Sequence, residues 1–280
     1  MLSPPRPPHW GEQIVVRPDN TLIIRMVFQG LNSSQAQDVW QPFLAAIAGA
    51  ADYTLPAPPQ IVAIAARRYW DPALLKQFPG IVVADDRPGA PERNIVWAGD
   101  AGQASQVIHG YQSTWLPASL LQPAARERLA EALFAASRHW RISLHVNKGL
   151  AGAPDDEVAR ARNTATNPAV LDAFALAIAG ADGPPAYPGL AGHEPDVALA
   201  RRQAAAIDRA MSRLRTVVPD AGSYVSESNF FETDWRRAYW GANYPRLLGI
   251  KDRYDPDGLF VVHHGVGSER WSGDGFTRLA

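Results

Sequence analysis

The hydrophobic positions in the first third of the chain fall into short runs separated by turn-forming residues. "QIVVRP" and "NTLIIRMVFQG" are rich in β-branched residues and meet at the turn composition of positions 18–20, which predicts an antiparallel hairpin. "NSSQAQDVWQPFLAAIAGA" is predicted as a helix, because capping residues precede apolar residues at helical spacing, and Pro42 is expected to interrupt it. "PQIVAIAARRYW", "GIVVAD" and "RNIVWAG" are predicted as strands, with a short helix "DPALLKQF" after the first.

The middle of the chain changes from strand to helix periodicity and back. "PAARERLAEALFAASRHW" is predicted as a helix with Leu129, Leu133 and Phe134 on its buried face. "RISLHVNKG" alternates apolar and polar residues, so it is predicted as a strand with one face of each kind. "AVLDAFALAIAGA" is compatible with either structure, and we favour a helix that runs into a short strand.

The most regular helix pattern runs from Glu194 to Val218, where apolar residues recur at spacings of three and four. A coiled-coil seam and a helix lying on a sheet give the same spacing, and alanine at two seam positions favours the sheet. "GSYVSESNF" then alternates like a strand. Strands and helices interleave without a repeated βαβ order, which predicts an α+β fold with a mainly antiparallel β-sheet flanked by helices.

The stretch "NYPRLLGIKDRYDPDGLF" predicts a broken helix near the C-terminus. Pro245 has no backbone N–H, so a helix that reaches it must break and restart. Asn243 is the expected N-cap of the new segment, with Tyr244 and Pro245 in its first turn. The residues expected to face the core are Leu247, Ile250 and Tyr254, and the turn at 255–258 is expected to end the helix.

Composition excludes several classes of function. The 280 residues carry a formal net charge of -1 with scattered basic residues, so neither nucleic acid nor an anionic membrane is expected as a main partner. The absence of cysteine excludes disulfides, thiolate catalysis and iron–sulfur clusters, so redox chemistry would need a cofactor. The proline-rich start, residues 1–11, is expected to be a flexible arm without the apolar core of a signal peptide, and a cytoplasmic location is expected.

The run "SYVSESNFFETDWRRAYWGANYPRLLGIKDRYDPDGLFVVHHGVGSE" resembles the C-terminal signature of the berberine bridge enzyme-like flavin oxidases, within the vanillyl-alcohol oxidase and p-cresol methylhydroxylase superfamily. "LHVNKGLAGAP" is similar to the substrate domain of the same enzymes. The resemblance implies a substrate-binding domain over residues 12–222 and a C-terminal segment over residues 223–280. The helix and tail of that segment would return to a flavin domain.

The resemblance also implies FAD as the cofactor, yet the chain shows no glycine-rich phosphate-binding loop, and a cysteinyl flavin bond is impossible without cysteine. The expected partners are therefore a flavin-binding domain or subunit and a small-molecule substrate. An apolar face, built partly from residues 239–243 and the tail "LFVVHHGV", is expected to be exposed where that partner is missing.

Three residues of the signature are implied to face the flavin. Tyr239 lies where many relatives place a tyrosine that takes up the proton of the substrate hydroxyl, while the alternative is an aromatic that packs beside Trp235 and Trp240. Asn243 matches a position that contacts the flavin, although a helix cap would explain it equally. Tyr244 falls in the same motif.

The substrate side is expected to involve polar and aromatic residues upstream. His145 and Asn147 lie on the polar face of their predicted strand. Tyr111 and Trp115, together with Trp70, could line a pocket for a sugar or an aromatic alcohol, although tryptophans are mostly core residues.

Acidic and histidine clusters offer further candidate sites. Glu227 is expected on the substrate side. It belongs to a polar group that could perform acid/base work or merely cap local structure, with Asp234 as a candidate N-cap. No metal site is expected at His263 and His264, because adjacent residues of an extended segment point to opposite sides.

Together these features predict the substrate-binding and C-terminal portion of an FAD-dependent oxidoreductase that oxidises an alcohol, sugar or amine by hydride transfer to flavin. The chain alone is expected to be inactive. The alternative is a non-catalytic binding or partner subunit that keeps the same fold.

Overall fold

The computed structural model describes residues 10–146, 150 and 152–279, and the chain forms two compact units. The first contains residues 10, 27–107 and 183–196, and the second contains residues 11–26, 108–182 and 197–279. The second unit therefore includes both the main sheet strands and the C-terminal segment. The functional division at residue 222 stays a prediction.

Seven strands and six α-helices are present in the described residues. The strands are β1 (Trp10–Val16), β2 (Leu22–Phe28), β3 (Val82–Ala84), β4 (Ile95–Trp97), β5 (Gln106–Pro117), β6 (Ile142–Val146) and β7 (Ala173–Pro185). The helices are α1 (Ser33–Ala48), α2 (Pro72–Leu75), α3 (Pro123–Ser137), α4 (Asp155–Arg162), α5 (Val197–Arg215) and α6 (Tyr244–Tyr254).

The main sheet has the strand order β2-β1-β6-β7-β5, and β6 pairs antiparallel with both neighbours. β3 and β4 form a separate antiparallel pair. The predicted α+β class with an antiparallel sheet is confirmed, as are the first hairpin and the helix α1. α1 begins with a reciprocal capping box between Asn32 and Gln35, and it continues through Pro42, where an interruption was expected. Pro42 is exposed, so the backbone carbonyl that it leaves without a donor can be hydrated.

The main core lies between one face of the sheet and the helices α3 and α5. The predicted seam of α5 supplies Ile207, Met211 and Leu214, all fully buried, and β6 supplies Ile142 and Leu144. This confirms that the helix lies on the sheet. On α3, Leu129 is buried as expected, but Phe134 is 57% exposed beneath the guanidinium of Arg138, so its predicted burial was wrong.

The segment that we favoured as a helix is the 13-residue strand β7, preceded by a short 3-10 turn. Its alanines 175, 177 and 179 face the helices in the main core, and Leu176 and Ile178 pack on the opposite face. Small residues on one side let α3 and α5 approach the sheet closely. Burial on both faces removes the polar alternation that normally marks a strand, and the alanine content then favours helix.

Two other predicted strands are irregular. The stretch 59–70 contains only a 3-10 turn at Ala66–Arg68, and its residues are mostly exposed. Residues 223–230 form no strand, although Ser223 donates its backbone N–H to the carbonyl of Ala238 at 2.8 Å. An alternating pattern predicts a strand only where a neighbouring edge is available to pair with it.

β5 was not predicted, because its middle is polar. Gln112, Ser113 and Thr114 are nevertheless buried, and each has a distant partner. Gln112 donates to Asp208 at 2.5 Å, and Thr114 donates to the carbonyl of Gly222 at 3.1 Å. Buried polar side chains persist where such partners satisfy them.

Candidate functional site

The C-terminal segment breaks its helix in two steps before α6 begins. A π-helical turn, Arg236–Trp240, is followed by a 3-10 turn, Gly241–Asn243, and α6 starts at Tyr244 with Pro245 in its first turn. The break near Pro245 and the end of α6 at Tyr254 are confirmed. A π-helical turn of this kind is frequent at functional sites.

The expected buried face of α6 is wrong in phase. Ile250 is 43% exposed and Tyr254 is 76% exposed, whereas Leu248 packs against the cluster around Tyr244. The two irregular turns rotate the start of α6 relative to a continuous helix, so the apolar stripe cannot be extrapolated across the break.

Asn167 holds this segment against the sheet. Its side chain is 6% exposed, its Nδ2 donates to the carbonyl of Ala238 at 2.8 Å, and its Oδ1 accepts from the backbone N–H of Ala169 at 3.0 Å. Two glycines with positive φ, Gly222 and Gly241, leave the space that this amide occupies. Sequence reasoning missed Asn167; the Asn-Pro dipeptide that it begins was the available signal.

Tyr239 lies on the π-helical turn and is 2% exposed. Its hydroxyl donates to the carbonyl of Asn229 at 2.7 Å, and its ring lies 5.8 Å from the ring of His264. Burial raises the pKa of the Tyr239 phenol above its usual range. The prediction that Tyr239 belongs to an exposed face is wrong; its role as a proton acceptor stays a prediction.

Asn243 occupies the N-cap position of α6, but its side chain does not cap the helix. Instead its Nδ2 donates to the carbonyls of Arg162 and Thr166 at 2.9 and 3.1 Å. Arg246 donates to the carbonyl of Thr164 at 2.6 Å. Both side chains therefore fasten the loop after α4, about 80 residues upstream.

Tyr244 is 9% exposed, and its hydroxyl lies 2.6 Å from both carboxylate oxygens of Glu269. The same hydroxyl accepts from the backbone N–H of Gly267 at 3.2 Å. Burial, followed by the bond to Glu269, raises the pKa of Tyr244 to about 12. Tyr244 therefore connects α6 to the turn at 267–269 and stays neutral across the physiological range.

We expect Tyr244→Phe to flatten the alkaline stability profile. Because the pKa of Tyr244 is about 12 in the folded chain and 10 otherwise, the folded state keeps a proton that the unfolded state loses. This contribution is complete below pH 10 and is lost as the pH rises towards 12. Urea unfolding at several pH values above 8 should show a steeper loss of unfolding free energy in the wild type than in Tyr244→Phe.

The exposed Tyr254 gives the control, since Tyr254→Phe should reproduce the wild-type slope. The remaining tyrosines are common to wild type and variant. Parallel pH profiles for the wild type and Tyr244→Phe would contradict the assignment.

The predicted substrate residues Tyr111, Trp115 and His145 lie on the sheet face opposite α3 and α5. Trp115 is 5% exposed and packs with Leu176 and Ile178. Its indole Nε1 is buried with no hydrogen-bond partner among the described residues. Trp115 also lines a cleft of about 380 Å³, whose other walls come from Pro117, Ser119, Leu120, Ala169, Asp172 and residues 217–221.

His145 is exposed and stands between Gln13 and Leu176 in the strand register. Its Nε2 lies 3.0 Å from Nε2 of Gln13, so the ring nitrogen accepts from the amide. Arg25 donates to Oε1 of Gln13 at 3.1 Å, which gives a polar row across β2, β1 and β6. Asn147 lies outside the described residues.

Tyr111 and Glu227 come together at the other side of this face. The ring of Tyr111 lies against Gly180 of β7, where a Cβ atom would stand 2.8 Å from it. Burial, followed by the charge and hydrogen bond of Glu227, raises the pKa of Tyr111. Trp70, in contrast, belongs to the first unit, where its ring contacts Tyr69 and Trp97 at 5.2 and 5.6 Å.

The acidic residues that follow Glu227 are engaged locally. Glu232 lies 3.7 Å from Arg215, and Asp234 lies 2.5 Å from Arg237. The carboxylate of Asp234 therefore forms an ion pair, while its backbone carbonyl accepts from Ala238. Capping was the alternative interpretation of this group, but the π-helical turn has no side-chain cap, so the N-cap expected at Asp234 is wrong.

His263 and His264 lie on the same side, contrary to expectation, with ring centroids 3.7 Å apart. His264 has a φ of 58°, and this left-handed turn rotates its ring over His263 and onto Trp235. In the ranges that the structure describes, no group of three or more His, Asp or Glu side chains could hold a metal. Within the same ranges, every helix is too short or too polar to cross a bilayer.

Comparisons with known proteins agree with this geometry. Residues 223–267 match the family model "Berberine and berberine like". The VAO-type flavoprotein oxidase VAO615 of Thermothelomyces thermophilus is 37% identical over 81 residues, which is 29% of this chain and 14% of that protein. The flavin-dependent oxygenase ucdF of Aspergillus ustus is 45% identical over 71 residues, or 25% of this chain and 13% of that protein.

Solved structures share the fold over nearly the whole chain. The VAO-type flavoprotein MtVAO615 from Myceliophthora thermophila C1 superposes with a TM-score of 0.61 and 19% identity, over 94% of this chain and 41% of that chain. A chitooligosaccharide oxidase superposes with a TM-score of 0.56 and 14% identity, over 92% of this chain and 48% of that chain. The chain thus spans less than half the length of these solved relatives. Residues 223–267 therefore carry the berberine-like family signature, and the chain shares the fold of part of a VAO-type flavoprotein.

Proposed function

We propose that the chain is the substrate-binding and C-terminal portion of an FAD-dependent oxidoreductase that oxidises an alcohol, sugar or amine. The observation that carries the proposal is the folded signature, residues 223–267, joined directly to the sheet. Trp115 donates its backbone N–H to the carbonyl of Gly222 at 3.2 Å, and Ser223 donates to Ala238 at 2.8 Å. The segment implied to face the flavin and the face implied to hold substrate therefore form one structure.

The residues present fit one wall of a flavin ring site. The indole Nε1 of Trp240 is buried with no hydrogen-bond partner among the described residues, so it is a donor that a further group could satisfy. Asn243 is held by bonds from its Nδ2, and its Oδ1 takes part in neither of them. A phosphate cradle needs several convergent backbone N–H groups, and the sequence offers no glycine-rich loop to supply them. FAD binding is therefore proposed to require a flavin-binding domain or subunit.

Two of the side chains predicted to contact substrate have a defined hydrogen-bonding role. Tyr111 is held by Glu227 and stays a neutral hydrogen-bond donor because its pKa is raised. His145 accepts from Gln13 through Nε2, which leaves Nδ1 as the protonated nitrogen of the neutral ring. Such groups can orient a hydroxyl or amine, and they do not select among alcohols, sugars and amines.

When bound, FAD supplies the acceptor for hydride, and this chain supplies the groups that position the substrate and receive its proton. Tyr239 is the proposed acceptor of the hydroxyl proton. Because burial raises its pKa, the phenol is protonated at neutral pH in the chain as it stands. The role therefore requires that assembly lower this pKa.

One observation favours the second candidate, a non-catalytic binding or partner subunit. The hydroxyls of Tyr239 and Tyr244 and the Nδ2 of Asn243 all bond within the chain, as expected of a scaffold that is complete without a cofactor. A colourless, stably folded protein whose partner assembly never reduces flavin would establish that candidate.

We expect the chain alone to bind FAD weakly or not at all. A site that contacts only one side of the flavin ring buries a small part of the cofactor, whereas typical cofactor sites bury most of the ligand. Titration of the pure chain into FAD, followed by quenching of the flavin fluorescence, should show no saturation in the micromolar range. Saturable submicromolar binding would mean that the chain holds FAD without a partner.

A further inference from the structure

Two consecutive histidines, His263 and His264, lie at the centre of a tight turn in the C-terminal segment, and we call them the histidine pair. The backbone N–H of Gly265 donates to the carbonyl of Val262 at 2.9 Å, which closes the turn. The φ of 58° at His264 is in the left-handed region, which glycine or asparagine adopts at less cost. A strained backbone at a residue other than glycine indicates that its side chain is needed in that position.

The histidine pair lies inside a continuous stack of four rings. The ring of His263 lies 4.1 Å from that of Phe230, with 19° between the planes, and 3.7 Å from that of His264, with 29° between the planes. The ring of His264 then lies 5.4 Å from that of Trp235, at 14°. Nε2 of His263 lies 2.7 Å from the carbonyl oxygen of Phe230, so this nitrogen carries a proton and donates it. The stack therefore joins the turn at residues 262–265 to Trp235, the residue that precedes the π-helical turn.

This stack accommodates one positive charge more readily than two. The neutral aromatic rings at its two ends attract a cation, whereas two imidazolium rings with centroids 3.7 Å apart repel each other. Burial, followed by the neighbouring His263, lowers the pKa of His264 below its usual range. Protonation of both rings is therefore unfavourable while they remain stacked.

Charged and titratable groups approach the stack from the elements packed around it. Glu232 raises the pKa of His264, but its carboxylate also lies 3.7 Å from the guanidinium of Arg215 at the end of α5. The guanidinium of Arg236, on the π-helical turn, lies over the tryptophan ring at the end of the stack, 5.7 Å from its centre. Tyr239 lies 5.8 Å from His264 and is neutral in acid, because burial raises its pKa. The carboxylate shared with Arg215 therefore favours the first proton and does not offset a second one.

We propose that the histidine pair is an acid-sensitive contact: it holds the turn at residues 262–265 against the π-helical turn at neutral pH and releases it when both rings are protonated. The residues that follow stay in place, since Val266 packs in the cluster around Tyr244 and the N–H of Gly267 donates to the hydroxyl of Tyr244. The opening is therefore local. It removes the imidazole that lies beside Tyr239, the proposed proton acceptor.

The direction of the pH effect follows from the environment of His264. Because the pKa of His264 in the closed turn is below its ordinary value of 6.5, the closed turn binds fewer protons than the open turn. The closed turn is therefore most stable above pH 6.5, and it loses stability as the pH falls below that value and through the folded pKa.

Hydrogen exchange of the Gly265 backbone N–H, followed by NMR in the full chain, tests this proposal. This N–H donates within the turn, so its protection factor reports whether the turn is closed. Between about pH 7.5 and about pH 5, we expect the protection factor to fall about tenfold or more in the wild type, because the closed turn excludes a proton over more than one pH unit. The amides of β6 should keep their protection, which separates a local opening from unfolding of the chain.

Two variants remove the charge at position 264 in different ways. His264→Phe keeps a ring in the stack, whereas His264→Asn removes the ring and suits the left-handed backbone. In both variants only His263 can become charged, so the protection factor of Gly265 should no longer depend on pH. Because asparagine tolerates the turn, His264→Asn keeps the test valid if phenylalanine distorts it.

His193→Phe is the matched control. His193 is an exposed histidine of the first unit, and its ring lies 6.0 Å from that of Tyr187. The same replacement at this position should leave the acid-induced fall in Gly265 protection as it is in the wild type.

Three results would overturn the inference. They are constant protection of Gly265 down to about pH 5 in the wild type, an equal fall in both variants at position 264, and a simultaneous loss of protection in β6, which would indicate general acid unfolding. The measurement uses neither flavin nor substrate, so each of these results leaves the proposed function untouched.

Discussion

Gly241→Ala should lower the unfolding free energy of the chain by roughly 3 kcal/mol or more, combining backbone strain with a lost buried hydrogen bond. Gly241 has φ 55° and ψ -141°, which side chains with a Cβ rarely adopt. An added Cβ would stand 2.6 Å from Oδ1 of Asn167 and 3.3 Å from Cδ of Pro168. Asn167 must then move away from the carbonyl of Ala238, which breaks the bond from its buried Nδ2 and leaves that carbonyl with only the N–H of Ser223. Urea denaturation followed by circular dichroism measures the effect.

Gly249→Ala is the control for this prediction. Gly249 lies inside α6 and is exposed, with no atom within 4 Å of an added Cβ. The change should stabilise the chain by about 0.5–1 kcal/mol, because alanine loses less backbone entropy in a helix. Equal stability of the two variants would show that the contact between Asn167 and the π-helical turn does not hold the C-terminal segment.

The hydrogen bond from Asn167 to Ala238 matters for the proposed function because it fixes the backbone beside Tyr239. The amide binds the carbonyl of the residue that precedes Tyr239, and Gly222 on its other side continues into the segment beside Trp115. A change at this amide should therefore move the proposed proton acceptor relative to the sheet. Sites of this kind tolerate displacements of only a few tenths of an ångström.

Much of the fold could be predicted because, in several elements, the local pattern of apolar and capping residues matches the way the element packs. The α5 seam and the alternation in β6 both reflect a single buried face, and α1 carries its own capping residues. The strand β7 escaped prediction because it is buried on both faces and its helix-facing side is alanine. Its alanines are explained by the approach of two helices, which the local sequence does not show.

The sequence predicted which residues form the candidate site, but it did not predict which of them bond to one another. Tyr111 and Glu227 were both expected to contact substrate, yet their mutual bond joins residues more than a hundred positions apart. The amide of Asn243 was expected to cap its own helix and instead binds the loop after α4. Side chains at helix starts can bond locally or at a distance, and only tertiary packing decides between these.

The His263 and His264 pair shows the same limit for backbone conformation. The expectation of opposite orientations assumed an extended chain, whereas one residue with positive φ places both rings on one side. Positive φ at a non-glycine residue is uncommon, so an extended conformation is what the sequence alone predicts. The consequence is a row of ring contacts that links Phe230, through His263 and His264, to Trp235 beside Tyr244.

Tyr239→Phe should reduce the rate of flavin reduction in the assembled enzyme about a hundredfold, the usual cost of removing an acid/base group. The ring is 2% exposed and its packing is retained by phenylalanine, so stability should fall only by about 1 kcal/mol for the lost bond to Asn229. Tyr254→Phe, at an exposed position of α6, should change neither quantity. Stopped-flow reduction and thermal melting of the same samples measure both.

The pH dependence separates a proton acceptor from a packing residue. Burial holds the pKa of Tyr239 above its usual range in this chain, while Arg215 lowers it and Glu232 raises it. If Tyr239 accepts the substrate proton, the reduction rate should rise with pH in the wild type and lose that dependence in Tyr239→Phe, because the ionised phenol is the active form. A reduction rate and pH profile that are unchanged by the substitution, together with the same small loss of stability, would leave Tyr239 as a packing aromatic whose hydroxyl serves only to hold Asn229.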